Sequence, residues 1–252
     1  MVLMFFLIGL CLGSFYLVIG KRLPQGLNAI NDRSKCDKCG HKLAWYDLIP
    51  IFSYIFLRGK CRYCKAKIDI LNPIVEISMG FLFAFAYKYY QTGYEMFMFM
   101  IVSSLMMIIF ISDFSYYIIL DSPLVLGGIL IIILKLSYFG LKETAFSLLA
   151  GIALFFCMLL IKIIGDKIFK RESLGGGDIK FAFIIGLTLG FQLGLCALIL
   201  STFLALPYSC AALMLKKNNE VPYGPFLASS LFIVFTFSTK FINLLDLIFI
   251  SL

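Results

Sequence analysis

Apolar stretches of about twenty residues recur along this chain, each long enough as a helix to cross a hydrocarbon core about 30 Å thick. Backbone polar groups inside lipid must be satisfied within the spanning structure, so few folds are open to such a chain. Unbroken apolar runs without strand-like alternation read as helices. Composition agrees: 252 residues, 62% hydrophobic, 14% charged, mean hydropathy +0.99, against about half apolar for a soluble domain. The spans are read at 1–20, 74–90, 96–112, 118–138, 145–165, 178–191, 193–215 and 226–250, the sixth and seventh nearly continuous. The expected fold is an all-α polytopic membrane protein of about eight transmembrane helices. The first stretch has no basic n-region and no small-residue cleavage site, and Lys21 and Arg22 follow it. It is read as a retained span, not a signal peptide. No internal repeat or low-complexity stretch is evident. Short loops join the helices after the second, as for antiparallel neighbours in a bundle.

One long polar insert, 21–72, separates the first helix (1–20) from the remaining bundle (73–252). It holds eleven Lys and Arg against four Asp, an excess of seven in a chain of net charge +8. Cations are retained on the cytoplasmic side, so the insert is expected in the cytosol. The 166–177 loop, with Lys167, Lys170 and Arg171, and the 216–222 loop, with Lys216 and Lys217, then fall on the same side. The loops near Gln91 and Lys142 are cation-poor and fall outside, as do both termini. The charge is expected to contact anionic membrane lipids; nothing else in the chain points to nucleic acid.

Four of the eight cysteines form two C-x-x-C pairs, Cys36/Cys39 and Cys61/Cys64, with 21 residues between them. This is close to a four-cysteine zinc template, and thiolates suit tetrahedral Zn²⁺. Gly40 permits the tight turn of a zinc knuckle. A reducing cytosol disfavours structural disulfides; redox or simply free pairs are the alternative. Four sulfurs leave no open position, so the zinc would be structural. His41 adjoins the second ligand and is read as an ordinary loop residue. Cys11, Cys157, Cys196 and Cys210 lie in spans and act as small apolar groups.

Ionisable groups in spans are expensive and are functional candidates by default. Asp113 ends the third span, Asp121 follows eight residues later, and Asp178 opens the sixth after Gly175-Gly176-Gly177. By the charge topology Asp113 and Asp178 share the cytoplasmic face. Gly175 and Gly177 allow close backbone approach, able to press one acid against a neighbouring helix. Two carboxylates held together do not both ionise readily, and such a pair can act as acid and base on water. The plain alternative is that these are helix-end acids or caps.

The ordered motifs resemble those of the prepilin peptidases, membrane aspartyl proteases of type IV prepilins and pseudopilins. They are Gly13-Ser14-Phe15, Lys21-Arg22-Leu23-Pro24, Cys36-x-x-Cys39, Asp47-Leu-Ile-Pro50-Ile-Phe-Ser53-Tyr54 and Leu57-Arg58-Gly59-Lys60-Cys61-Arg62-Tyr63-Cys64. Asn72-Pro73-Ile-Val-Glu76, Gly175-Gly-Gly177-Asp178-Ile-Lys180 and Pro222-Tyr-Gly224-Pro225-Phe226 follow. The chain departs from the family pattern at Leu120, where Pro is usual before the following Asp. The resemblance implies a catalytic pair Asp113 and Asp178, supported by Gly175, Gly177 and Lys180. It implies prepilin or pseudopilin substrates and a bacterial cytoplasmic-membrane location. It also implies methylation of the new N-terminus with S-adenosylmethionine, associated with the 21–72 segment. No G-x-G-x-x-G fingerprint supports that second activity. Glu76 reads equally as a dipole-favoured first-turn acid or as part of the second activity; Arg58 and Lys60 are candidate partners for it. A transporter moving ions past mid-span acids and a non-catalytic zinc-bearing scaffold are the other classes. Acids at one membrane edge argue against the first, and the intact pair argues against the second.

Overall fold

The computed structural model describes residues 1–27, 33–90, 93–214 and 221–250. Asp32, the turn at Gln91, the Lys216 and Lys217 loop and Leu252 lie outside the described residues. The described residues form nine α-helices and no strand: α1 (Val2–Arg22), α2 (Phe52–Phe56), α3 (Leu71–Tyr89), α4 (Gly93–Tyr116), α5 (Asp121–Phe169), α6 (Gly176–Leu189), α7 (Phe191–Met214), α8 (Gly224–Thr236) and α9 (Ser238–Ile250). Four are long and apolar enough to cross a membrane: α1, α4, α5 and α7. The bent pair α8 and α9 makes a fifth if taken as one span. The contacts divide the chain into two units, Met1–Met96 and Phe97–Leu252.

In the first unit α1 and α3 are antiparallel. Phe5 stacks on Tyr87 at one end, with ring centroids 4.7 Å apart. Lys21 bonds Asp69 (3.1 Å) and Asn72 (3.2 Å) at the other. Between them lies Gly9-x-x-x-Gly13. A Cβ at Gly9 would strike the Met79 carbonyl, and one at Gly13 would sit 2.9 Å from Glu76 Cα. Small residues one turn apart let two helix backbones touch, the device of membrane helix pairs. Between these helices the insert closes on itself as two cysteine loops and the short α2.

In the second unit α5 runs 49 residues, but Gly140 at φ 77°, ψ −177° is not helical. The chain reverses there. Lys135 Nζ donates to Ser147 Oγ at 2.8 Å, although residues twelve apart in a straight helix stand about 18 Å apart. Both arms meet α6: Gly128 faces Ile184, and Gly151 faces Phe183. The expected spans 118–138 and 145–165 are therefore the arms of one hairpin. The core of α6, with Phe181, Ala182, Ile185 and Leu187, is fully buried. α6 ends at Gly190 (φ 78°), which separates it from α7. The expected last span, 226–250, is two helices bent by 82° at Phe237. No glycine or proline marks that bend.

Candidate active site and metal centre

Asp113 lies in the last turn of α4, whose helix runs past the expected end at 112. Asp178 occupies the first turn of α6, where an acid is favoured by the dipole. They are 65 positions apart in sequence, yet both line one cavity of about 480 Å³. Both residues are mostly buried, 5% and 8% exposed. Each carboxylate is held by backbone: Gly224 N–H donates to Asp113 Oδ2 (3.0 Å), and Gly175 N–H to Asp178 Oδ2 (3.2 Å). Asp178 therefore does serve as a helix-start acid, but it also lines the same cavity as Asp113.

Ile119, which also lines this cavity, packs against both Gly177 and Gly224. A Cβ on Gly177 would be 2.7 Å from Ile119 Cβ, and one on Gly224 would be 2.8 Å from both Ile119 Cδ1 and Asp113 Oδ2. Gly177 thus serves close packing against the linker between α4 and α5. Lys180 does not reach the two acids; its Nζ lies 2.7 Å from both oxygens of Asp121, tying α6 to the start of α5. Leu120, at the family's usual proline, is extended (φ −78°, ψ 128°) and buried. The Pro222–Phe226 motif carries no role in the sequence alone; in the structure its Gly224 N–H holds Asp113. Pro225 in the first turn of α8 was the available signal. Tyr223 adds a 2.6 Å hydroxyl contact to Ser201 on α7. Ile119 carried no signal, because an apolar residue in an apolar chain does not stand out.

In the first unit the Sγ atoms of Cys36, Cys39, Cys61 and Cys64 all lie within 4.8 Å of one another. Cys36 and Cys64 are 3.8 Å apart. Four sulfurs at about 2.3 Å from a central zinc would be about 3.8 Å apart, so the set fits tetrahedral Zn²⁺. His41 lies against the Tyr63 ring, centroids 3.6 Å apart, and is outside the cluster. N–H groups of Cys39 and Lys38 pull the Cys36 thiol down to about 7. Although the Ala66 N–H favours its thiolate, burial and the other three thiols push Cys64 up to about 11. Four thiols this close do not all ionise without a cation among them.

The two loops are one structure used twice, a repeat not evident in the sequence. Lys35-Cys36-x-x-Cys39-Gly-His-Lys42-Leu43 matches Lys60-Cys61-x-x-Cys64-Lys-Ala-Lys67-Ile68. Each is closed by a bridge, Lys35 with Lys42 and Lys60 with Lys67. Cys36 N–H bonds His41 O (3.0 Å) as Cys61 N–H bonds Ala66 O (2.8 Å). The residue after each second cysteine has positive φ: Gly40 at 69° and Lys65 at 59°. A shared core of a few residues, separated by a long gap, is too short to stand out as a repeat.

A second cavity, of about 200 Å³, lies beside these loops and is lined by Glu76, Asp47, Arg62 and Ser14 among others. Glu76 Oε2 accepts from Ile51 N–H (2.8 Å), and the Ser14 hydroxyl also bonds the carboxylate, so its partners are not Arg58 or Lys60. Ile51 is held at φ 62°, a strained value for a β-branched residue. Arg62 Nε bonds Asp47 Oδ1 at 2.8 Å, while Asp47 Oδ2 is buried without a partner.

Residues 7–90 match the Bacterial Peptidase A24 N-terminal domain, and residues 100–210 match the Type IV leader peptidase family. A Bacillus subtilis protein is 31% identical over 247 residues, covering 94% of this chain and 95% of the relative. A Vibrio cholerae protein is 30% identical over 244 residues, covering 92% and 95%. A Myxococcus xanthus protein is 32% identical over 181 residues; the match takes in 72% of this chain and spans about half, 54%, of that relative. All three are named prepilin leader peptidase/N-methyltransferase. No solved structure matches the chain significantly.

Proposed function

The chain belongs to the type IV leader peptidase family, and on that footing we propose that it is a prepilin leader peptidase that uses Asp113 and Asp178 as one catalytic pair. It is an integral membrane protein. The substrate is a membrane-inserted prepilin or pseudopilin with a short basic leader in the cytosol. The observation that carries the reading is that two mostly buried carboxylates, each tethered by a backbone N–H through Oδ2, line a single cavity. Their Oδ1 atoms remain for water and substrate. In the ionised state one Asp takes a proton from water as the oxygen attacks the scissile carbonyl. The other, protonated, gives its proton to the amide nitrogen as the C–N bond breaks. The products are a free carboxylate on the leader and a new N-terminal amine.

The membrane is the bacterial cytoplasmic membrane, with residues 21–72 in the cytosol, both termini outside, and eight helical segments crossing or entering it. In this division 1–20 is the first span, 21–72 the zinc-bearing segment and 73–252 the peptidase bundle. Zinc on Cys36, Cys39, Cys61 and Cys64 is structural. Methyl transfer from S-adenosylmethionine to the new amine is the second activity, carried by the relatives' names. The cavity containing Glu76 and Asp47 is its place in this reading.

Co-expression with a prepilin, read by intact mass spectrometry, tests both steps. Loss of the leader together with a 14 Da gain on the mature chain, the mass of one methylene, is expected. Cleaved but unmethylated product would make the chain a peptidase only, and uncleaved prepilin would reject the function.

A further inference from the structure

The insert is built inside out for a water-soluble element. In α2, Phe52, Ile55 and Phe56 occupy positions i, i+3 and i+4 and so share one helix face; all three are exposed, Phe56 by 82%. Ser53 and Tyr54, the more polar side, turn inward to line the second cavity. Tyr54 also packs its ring 3.0 Å from where a Gly59 Cβ would lie. Trp45, seven residues before Phe52, is 77% exposed. It is set by Tyr46, whose ring lies under the Arg62 guanidinium at 5.0 Å. This segment is too short to span, and Pro50 interrupts it, so lipid-spanning does not explain its exposure as it does for α5.

Charge says what covers it. Lys42, Arg58, Lys60 and Lys65, in the same insert, are exposed. Acids are fewer: among the described residues of the insert Asp47 is buried against Arg62 and Asp69 bonds Lys21, while Asp37 is exposed. Ile70 and Ile74, at the start of α3, are exposed as well. Exposed aromatic side chains in a strongly basic segment match the interface of an anionic bilayer.

We propose that residues 45–56 form a membrane-interface anchor, with Trp45, Phe52, Ile55 and Phe56 seated among the headgroups of an anionic leaflet and the exposed cations of the insert on its phosphates. The anchor would hold the zinc-bearing loops down on the bilayer instead of leaving them free in the cytosol.

Trp45 is the only tryptophan in the chain, so the unmodified full-length protein carries its own probe. It would be reconstituted in nanodiscs of phosphatidylcholine, with and without phosphatidylglycerol. Emission would be quenched by lipids brominated near the headgroup or, separately, by aqueous iodide. Headgroup-proximal bromolipid should remove about half the emission, as for an interfacial indole, and more with phosphatidylglycerol present, while iodide has little effect. Phe56→Asp should reduce the bromolipid effect. Full iodide quenching without bromolipid quenching would overturn the proposal. Protection from both quenchers would overturn it in favour of a protein surface covering the patch. Equal bromolipid quenching in both lipid compositions would overturn the assignment to anionic headgroups.

Discussion

Gly177 and Gly224 matter for what they leave room for. Both face Ile119, and Gly224 also faces Asp113, so a methyl group at either position pushes on the linker or on the acid. Gly177→Ala should lower prepilin cleavage and cost about 1–3 kcal/mol of stability through overpacking. Ile119→Ala in the same protein should restore much of the loss, because residues in contact couple. A cleavage assay on the two single variants and the double variant checks this; no recovery in the double variant would mean that Gly177 acts otherwise. The acids themselves were readable in the sequence, because a carboxylate in an apolar run is costly enough to stand out. Their positioning groups were harder to read: Pro225 marks the helix start beside Gly224, but a backbone N–H and an isoleucine carry no signature of their own. Lys180, readable only as a neighbour of Asp178, turns out to hold Asp121.

At the scale of elements, the paired knuckles and the α1–α3 contact make separate predictions. Cys39→Ser should abolish stoichiometric zinc in elemental analysis, remove metal coupling to local folding on the order of 10 kcal/mol, and reduce methylation more than cleavage. Equal loss of both activities would point to one shared site or to a general folding defect. Strong chelation of the unmodified protein should loosen the insert, read as protease sensitivity within 21–72, and leave the helices inserted. In the helix pair, Gly13→Leu should separate α1 from α3 and disturb Glu76, whose Cα lies against Gly13. A cross-linking yield between cysteines placed at the two helices should fall. Apolar length revealed where helices lie to within a few residues, because burial in lipid demands it. Their trajectories were less legible: Gly140 could be read as a loop, but nothing in the residues around Phe237 announces a bend of 82°. The repeat of the two knuckles was hidden because backbone geometry, more than residue identity, carries it.

For the whole molecule, orientation comes from charge, and the chemistry depends on it. Outside-only cysteine labelling should reach a site added after Leu252 and miss one placed near Asp32; the reverse would move the proposed cleavage to the other face. The same topology brings acids from α4 and α6 to one cavity, the central claim about function. Activity should follow a bell-shaped pH profile belonging to the pair and not to either acid. Members of such a unit are strongly non-additive. The most direct measurement is cleavage of a prepilin by purified protein in detergent, without ATP or an ion gradient, comparing Asp113→Asn, Asp178→Asn and the double variant. Each single variant should remain inserted and lose activity by about a thousand-fold or more, the double should be little worse, and Asp121→Asn should lose far less; substantial cleavage by the Asp178→Asn protein would contradict the aspartyl mechanism.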